Sequence, residues 1–222
     1  MSISGEILSL IKQYAIQYGL PYDYVRRQVD TESGGDPNAV GGIGEIGLMQ
    51  ISPMLATDLI AAGIISISKD LYDPAKNLNA GCWKLSHLLA GMKTQAPELS
   101  ADDAYRLALV SYNGGPGYVK QAIKQLRARN AAVNYASVLE ELPTAYVSGR
   151  TVQVAMVTSY NERIVGRTDT MLAQGRTNFP AGITPASAAS TSGAPGSDKG
   201  PKALTWLALA GATYLAWRHL FN

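Results

Sequence analysis

A helix that ends on a glutamate is the feature that most constrains how this chain can fold. Val25, Val29 and Glu32 fall on one apolar stripe of a helix that begins near Tyr22. The sequence Gly-Gly-Asp-Pro follows at 34–37 and predicts that the helix stops there, with Glu32 in its last turn. Burial and the negative end of the helix dipole both raise the pKa of such a carboxyl. A carboxylic acid that stays protonated near neutral pH can serve as a general acid.

The spacing around Glu32 leaves a second interpretation open. Glutamates near helix ends are usually exposed on the surface, and most of them have no chemical role. The glycine-rich segment 41–44 does not decide the matter, because no Lys-Ser/Thr pair follows it as in a phosphate-binding loop. We interpret 41–44 as a loop in which the backbone turns tightly or approaches a ligand.

Three further blocks of sequence follow Glu32-Ser33 in order along the chain. They are Gly47-Leu48-Met49-Gln50, Asn77-Leu78-Asn79-Ala80-Gly81 and Tyr112-Asn113-Gly114-Gly115-Pro116-Gly117. In these blocks, and over about residues 20–165, the chain resembles the lytic transglycosylases of the soluble (SLT) type. The resemblance implies an all-α, lysozyme-like fold related to goose-type lysozyme, with a sugar-binding cleft above Glu32.

The resemblance also implies roles for individual residues of that cleft. Glu32 corresponds to the catalytic acid of the family, and the family pattern implies no metal and no cofactor. In the family, a glutamine of the first block lines the sugar-binding cleft and a tyrosine of the third block lies close to the acid. Asn77 corresponds to a residue that supports the cleft structurally. The residues expected to bind substrate are Ser33, Met49, Gln50, Tyr112, Asn113 and Tyr146.

The last block of the family, Glu-Thr-x-x-Tyr-Val, is degenerate in this chain. The segment Arg150-Thr151-Val152-Gln153-Val154 matches its spacing, but arginine replaces the glutamate and valine replaces the tyrosine. Tyr146-Val147 could supply the tyrosine in another register, so that side of the cleft stays unassigned. Glu45 is a second departure, because the family has a small residue there. It is either a second carboxylate near the site or an exposed loop residue.

The reaction implied by the resemblance is cleavage of the β-1,4 bond between N-acetylmuramic acid and N-acetylglucosamine in peptidoglycan. The product carries a 1,6-anhydromuramic acid. One carboxyl suffices for this reaction because the C6 hydroxyl of muramic acid takes the place of water, whereas most glycosidases use two carboxyls. A hydrolytic muramidase on the same fold is one alternative. A non-catalytic glycan-binding or structural membrane protein is another.

Composition argues against several other kinds of site. The single cysteine, Cys82, falls on the apolar face of a predicted helix and allows no intramolecular disulfide. The two histidines, His87 and His219, lie far apart in the sequence, so neither a His/Cys metal site nor a Ser-His-Asp arrangement is predicted. A net charge of +2 gives no basis for nucleic acid as a partner.

The chain divides by composition into a domain at 1–176, a linker at 177–202 and a tail at 203–221. Apolar periodicity predicts helices in the domain at 4–19, from Tyr22 to Glu32, at 53–62, from Pro74 to Leu89 or Met92, at 101–113, from Tyr118 onward and at 135–142. The linker is rich in Ala, Ser, Thr, Gly and Pro without periodicity, which is typical of a flexible segment.

The tail predicts a hydrophobic, membrane-inserted helix. It is uncharged from Ala203 to Trp217, which is shorter than the roughly 20 residues of a full membrane span. Lys202 and Arg218 flank it and can extend toward the headgroups. A helix that docks on a protein is the alternative interpretation.

The tail and the first residues together predict an unusual setting for a cell-wall enzyme. The start of the chain lacks the basic and apolar regions of a signal peptide. This combination resembles the transglycosylases that membrane-containing bacteriophages carry in their particles. The implied location is the internal membrane of the virion, anchored by the C-terminus, with action on the periplasmic cell wall of the host. The implied partners are glycan strands, the lipid bilayer and other membrane proteins of the particle.

Overall fold

The structure, a computed structural model, describes residues 3–147, 149–150 and 152–166. Eight α-helices make up most of this part of the chain. They are α1 (Gly5–Gln17), α2 (Tyr22–Ser33), α3 (Pro53–Ala61), α4 (Pro74–Gln95), α5 (Ala101–Gly114), α6 (Pro116–Ala128), α7 (Tyr135–Glu141) and α8 (Val154–Val165). Short 3-10 helices span Ser68–Tyr72 and Leu142–Thr144. Within the described ranges, β-structure is limited to isolated bridges, which confirms the predicted all-α fold.

The α2 helix ends where the sequence predicts. Gly34 follows Ser33 in the left-handed conformation, with φ of 63°, and its N–H donates to the carbonyl of Asp30. This is the usual way in which a glycine closes a helix, because it adopts positive φ without a steric penalty. Glu32 therefore lies in the last turn of α2.

The α4 and α5 helices begin at capping side chains that the sequence also predicts. Asp73 accepts a hydrogen bond from the N–H of Lys76, and Pro74 occupies the first turn of α4. Ser100 caps α5 in the same way through the N–H of Asp103. These local signals place both helices along the chain with little need for tertiary information.

The central helix of the fold is α5. Every residue from Ala104 to Ser111 is buried, so this helix is enclosed on all sides. It packs against α4, α6 and α8, and α8 packs in turn against α2. The last described helix therefore lies beside the helix that carries Glu32.

Seven of the eight helices match predicted ones, and α8 does not. The sequence analysis assigned no helix to 154–165, although Val157, Tyr160 and Ile164 repeat at helical spacing and are all buried. Among the described helices, none is long and apolar enough to cross a membrane. The predicted linker at 177–202 and the predicted tail helix at 203–221 lie outside the described residues.

Candidate active site

Glu32 is a partly buried carboxyl with a strongly raised pKa. The hydroxyl of Tyr160 donates a hydrogen bond to its Oε1 atom over 2.6 Å. Burial is the largest influence and raises the pKa of Glu32 to about 7, although the Tyr160 hydrogen bond opposes it. The nearby charges of Glu45 and Arg163 act in opposite directions and are smaller influences. At neutral pH this group can both give and accept a proton.

Two hydrogen bonds between helices hold Tyr160 in place. The side-chain amide of Asn161 on α8 donates to the carbonyl of Arg106 on α5 over 2.9 Å. Arg27 on α2 donates to the carbonyl of Ile164 over 3.3 Å. Burial raises the pKa of the Tyr160 hydroxyl well above its usual range, so this group remains a neutral donor over the whole working range of pH.

A polar side chain from α2 completes this arrangement. Gln28 is fully buried one helical turn before Glu32. Its Nε2 atom donates to the Tyr160 hydroxyl over 2.9 Å. Glu32, Tyr160 and Gln28 are thus connected by hydrogen bonds in one line.

The segment 39–51 forms a compact loop beside Glu32. Short antiparallel bridges pair Val40 with Ile46 and Ile46 with Ile51. Asn77, fully buried on α4, holds this loop: its Oδ1 accepts from the N–H of Met49, and its Nδ2 donates to the carbonyls of Ile46 and Leu71. The predicted supporting role of Asn77 has a direct physical basis in these three bonds.

Gly47 is required where the loop meets Asn77. Its φ is 77°, and a Cβ atom there would lie 2.3 Å from Nδ2 of Asn77 and 2.6 Å from the carbonyl oxygen of Leu71. Any larger residue would therefore collide with the side chain that anchors the loop and with the backbone. Only glycine allows the loop to approach α4 this closely.

Gln50 lies in the loop with a positive φ of 45°. Its Nε2 donates to the carbonyls of Gly47 and Ala39 over 2.9 and 3.2 Å, so its amide nitrogen braces the loop. Its Oε1 lies on the other side, where it and the Oε2 atom of Glu45 would be 2.7 and 2.4 Å from a Cβ atom on Gly41. The carbonyl end of the Gln50 amide is the part that can meet a substrate donor.

The tyrosine of the third sequence block closes the site from α5. The Tyr112 hydroxyl donates to the carbonyl of Met49 over 2.9 Å. Burial, with the Glu32 carboxyl as a second cause, raises the pKa of Tyr112 well above its usual range. Met49 is fully buried, and a Cβ on Gly81 would lie 2.3 Å from its sulfur. Asn113 is exposed at the end of α5.

Ser33 connects α2 to the loop. Its hydroxyl lies 3.1 Å from the carbonyl of Val29 and 3.0 Å from that of Leu48, and it accepts from the N–H of Gly35. The residue after the acid therefore fixes the distance between the end of α2 and the loop. Its observed contacts position the site, and its predicted contact with substrate stays a prediction.

The chemistry available at this site is proton transfer by one carboxyl. Among the residues that the structure describes, no three His, Cys, Asp or Glu side chains converge as a metal site would require. Glu45 is partly exposed and close enough for its charge to raise the pKa of Glu32. Of the two interpretations of Glu45 left open by the sequence, the carboxylate near the site agrees with this contact.

Comparison with known families identifies the fold and its site. The transglycosylase SLT domain matches residues 9–135, which is more than half of the chain and includes Glu32, the 39–51 loop and Tyr112. The chain belongs to the transglycosylase SLT domain family. The SLT match ends before α8, so Tyr160 comes from beyond the matched residues.

Relatives of this SLT domain are longer proteins. Membrane-bound lytic murein transglycosylase C of Yersinia enterocolitica is 33% identical over 154 residues, which make up 64% of this chain and 41% of the relative. The soluble lytic murein transglycosylase of Escherichia coli is 26% identical over 166 residues, which make up 73% of this chain and 24% of the relative. The chain spans less than half the length of these two relatives.

A solved structure shares the SLT fold. The 70 kDa soluble lytic transglycosylase of Escherichia coli aligns with a TM-score of 0.51 and 22% identity, over 71% of this chain and 22% of that one. This likeness concerns the fold alone. It agrees with the lysozyme-like architecture that the sequence motifs implied.

The side of the SLT site that sequence left unassigned is formed by α8. Tyr146, the tyrosine suggested there, is 65% exposed, and the tyrosine on the acid is Tyr160. The loop that carries Tyr146 packs near α6, since Val147 lies 3.2 Å from where a Cβ on Gly117 would be. Sequence reasoning missed Tyr160 and Gln28; the helical spacing of buried residues in 154–165 was the signal that pointed to α8.

Proposed function

We propose that this chain is a peptidoglycan lytic transglycosylase that cleaves the β-1,4 bond between N-acetylmuramic acid and N-acetylglucosamine. One observation carries the proposal. Glu32, at the position of the family's acid, is a partly buried carboxyl with a pKa of about 7, held at Oε1 by the Tyr160 hydroxyl. Membership of the SLT domain family supports the same reaction.

The first step is protonation of the leaving group. Because Tyr160 donates to Oε1 of Glu32, the acid proton resides on Oε2. Glu32 transfers this proton to the glycosidic oxygen, the bond from that oxygen to C1 of muramic acid breaks, and positive charge develops at C1. Glu32 becomes a carboxylate, which the Tyr160 hydrogen bond stabilises.

The second step uses the same residue as a base. The Glu32 carboxylate removes the proton of the C6 hydroxyl, and the oxygen attacks C1 to close the 1,6-anhydro ring. This returns the proton to Glu32 and consumes no water. A pKa near 7 suits a group that must act as acid and then as base within one turnover.

The substrate-binding roles belong to this proposal. The Oε1 atom of Gln50 and the exposed side chain of Asn113 are free to contact sugar hydroxyl and N-acetyl groups. Ser33, Met49 and Tyr112 shape the wall of the cleft through the contacts described above. Tyr146, with its exposed ring, is a surface on which a sugar face can stack.

The decisive experiment is digestion of purified peptidoglycan by the full chain, followed by mass spectrometry of the products. Muropeptides lighter by one water than those of lysozyme establish the transglycosylase. Muropeptides with reducing ends indicate a muramidase, for which Glu45 is the second carboxylate to test. Binding of glycan without any product indicates the non-catalytic alternative.

The proposed setting places this domain near a membrane. We infer that 1–176 forms the catalytic domain and that the linker at 177–202 connects it to an anchoring helix at 203–221. This inference depends on the uncharged sequence from Ala203 to Trp217 between Lys202 and Arg218. A bacteriophage particle with an internal membrane is the setting proposed for the anchor. Detection of the protein in purified particles supports that location, and its detection solely in host membranes contradicts it.

A further inference from the structure

A glutamine is buried directly behind the acid. Gln28 has an exposed fraction of 0% and lies one turn before Glu32 on α2. Its Nε2 donates to the Tyr160 hydroxyl over 2.9 Å, and that hydroxyl donates to Oε1 of Glu32 over 2.6 Å. We call this line of hydrogen bonds, Gln28 to Tyr160 to Glu32, the glutamine–tyrosine relay.

The orientation of the Gln28 amide decides where the Tyr160 proton goes. A tyrosine hydroxyl has a single proton to donate. With the Gln28 nitrogen facing it, the Tyr160 oxygen receives a hydrogen bond, and its own proton is directed to Glu32. With the amide turned over, the Gln28 oxygen would compete with Glu32 for that proton. The observed orientation removes the competition.

Gln28 is an unfavourable residue if stability alone is considered. Its Oε1 atom is buried and has no hydrogen-bond partner among the described residues. A buried acceptor without a partner costs free energy, and an apolar side chain of similar size avoids that cost. The other buried positions on the same stripe of α2, Val25 and Val29, are apolar. A polar residue here therefore calls for a reason in the chemistry of the site.

We propose that Gln28 is a positioning residue that directs the Tyr160 hydroxyl to Oε1 of Glu32 and so leaves Oε2 to carry the acid proton. The proposal rests on the proposed function, because it takes Glu32 as the acid. Gln28 touches no substrate and acts through Tyr160. Its hydrogen bond polarises the Tyr160 O–H group, which strengthens the bond from that group to the Glu32 carboxylate.

Other groups also act on Glu32, and a Gln28 substitution leaves them in place. Arg163 on α8 lowers the pKa of Glu32, and Glu45 in the 39–51 loop raises it. Tyr112 on α5 is also within electrostatic range of the carboxyl. A change that follows a Gln28 substitution can therefore be assigned to the relay.

The test is a titration of the Glu32 carboxyl by carbon NMR in the full chain, in mild detergent. The Glu32→Gln variant identifies the resonance by removing it. We expect Gln28→Leu to raise the pKa of Glu32 by about half a unit or more, because the carboxylate loses part of its stabilisation. In a Tyr160→Phe background the same substitution should have little further effect, because the relay is already broken.

Two further variants separate the relay from shape and from the type of substitution. Gln28→Met keeps an unbranched side chain and should shift the titration in the same direction as Gln28→Leu. Gln125→Leu is the matched control: Gln125 also has a buried Oε1 without a described partner, and its Nε2 donates to the carbonyl of Thr144. Gln125→Leu should leave the Glu32 titration unchanged.

Activity on peptidoglycan gives an independent readout. The alkaline limb of the pH profile should move to higher pH in Gln28→Leu, and the melting temperature should stay the same or rise. A lower melting temperature with an unchanged titration and pH profile assigns Gln28 a structural role and overturns the proposal. An equal shift in the wild-type and Tyr160→Phe backgrounds also overturns it. If the wild-type chain releases no product, the proposed function fails, while the titration still decides the relay.

Discussion

The Tyr160 hydroxyl lies 2.6 Å from Oε1 of Glu32 and donates its proton to that atom. This contact joins the last turn of α2 to the middle of α8. It also gives the two carboxyl oxygens of Glu32 different environments, since one is occupied by a donor and the other is not. The contact stabilises the ionised form of Glu32 against burial, which favours the neutral form.

Loss of the Tyr160 hydroxyl should impair catalysis and raise the pKa of Glu32. A hydrogen bond to a charged group contributes about 1.5–3 kcal/mol, so Tyr160→Phe should lower the rate of peptidoglycan cleavage by roughly 10- to 100-fold. The pH profile measured from the same digestions should shift toward alkaline pH. Tyr72→Phe, a change on a partly exposed tyrosine of the first 3-10 helix, serves as the control. Equal rates for wild type and Tyr160→Phe would remove Tyr160 from the mechanism.

Glu32→Gln should abolish most of the activity while the fold is retained. The substitution is nearly isosteric and removes the proton that is transferred, so we expect at least a ~100-fold loss of product. Circular dichroism should show the same helix content as in the wild type. Activity at the wild-type level in this variant would contradict the assignment of Glu32 as the acid.

The raised pKa of Glu32 should make stability depend on pH. The folded state holds a proton on Glu32 up to about pH 7, whereas the unfolded state releases it near the ordinary value of 4.5. The unfolded state therefore binds fewer protons between these values, and the contribution of Glu32 to stability falls as pH rises through this window. The loss amounts to about 3 kcal/mol at most.

Denaturant unfolding at pH 5 and pH 8 checks this dependence. Glu32→Gln has no proton to lose, so its stability relative to the wild type should be greater at pH 8 than at pH 5. The same difference at both values would mean that Glu32 has an ordinary pKa in the folded state. Comparison with Glu140→Gln, a change in a glutamate of α7, gives the background effect of such a substitution.

Removal of the Glu45 charge should lower the pKa of Glu32. The negative charge of Glu45 raises that pKa, although burial is the larger cause. Glu45→Gln should therefore move the alkaline limb of the pH profile for peptidoglycan cleavage toward acid, by less than about one unit. If water attack depended on Glu45, the variant would instead lose hydrolytic products selectively. An unchanged profile with unchanged products would place Glu45 outside the site.

Gly47→Ala should displace the 39–51 loop. The added Cβ would meet Asn77 and Leu71, in addition to the cost of a positive φ. We expect a loss of roughly 2–4 kcal/mol in the free energy of unfolding, together with lower activity. Gly63→Ala is the matched control, because Gly63 has a similar φ of 70° and nothing within 4 Å of the added Cβ. A similar loss in both variants would mean that backbone strain alone is responsible.

Local sequence determined most of the fold and one side of the site. The glycine after Ser33 ends α2, and Asp73 and Ser100 start α4 and α5 through bonds to N–H groups three residues away. Such signals operate over one helical turn and can be read without the tertiary structure. The same is true of the position of Glu32 in the last turn of its helix.

Only the tertiary structure decided which side chains surround the acid. Tyr146 and Tyr160 were equally distant possibilities in the sequence, and the packing of α8 between α2 and α5 brings Tyr160 to Glu32 and leaves Tyr146 exposed. The raised pKa of Glu32 depends on the same packing, because its main cause is burial by residues far away in the chain. Helix ends are set by neighbours in sequence, whereas desolvation and hydrogen-bond direction are set by neighbours in space.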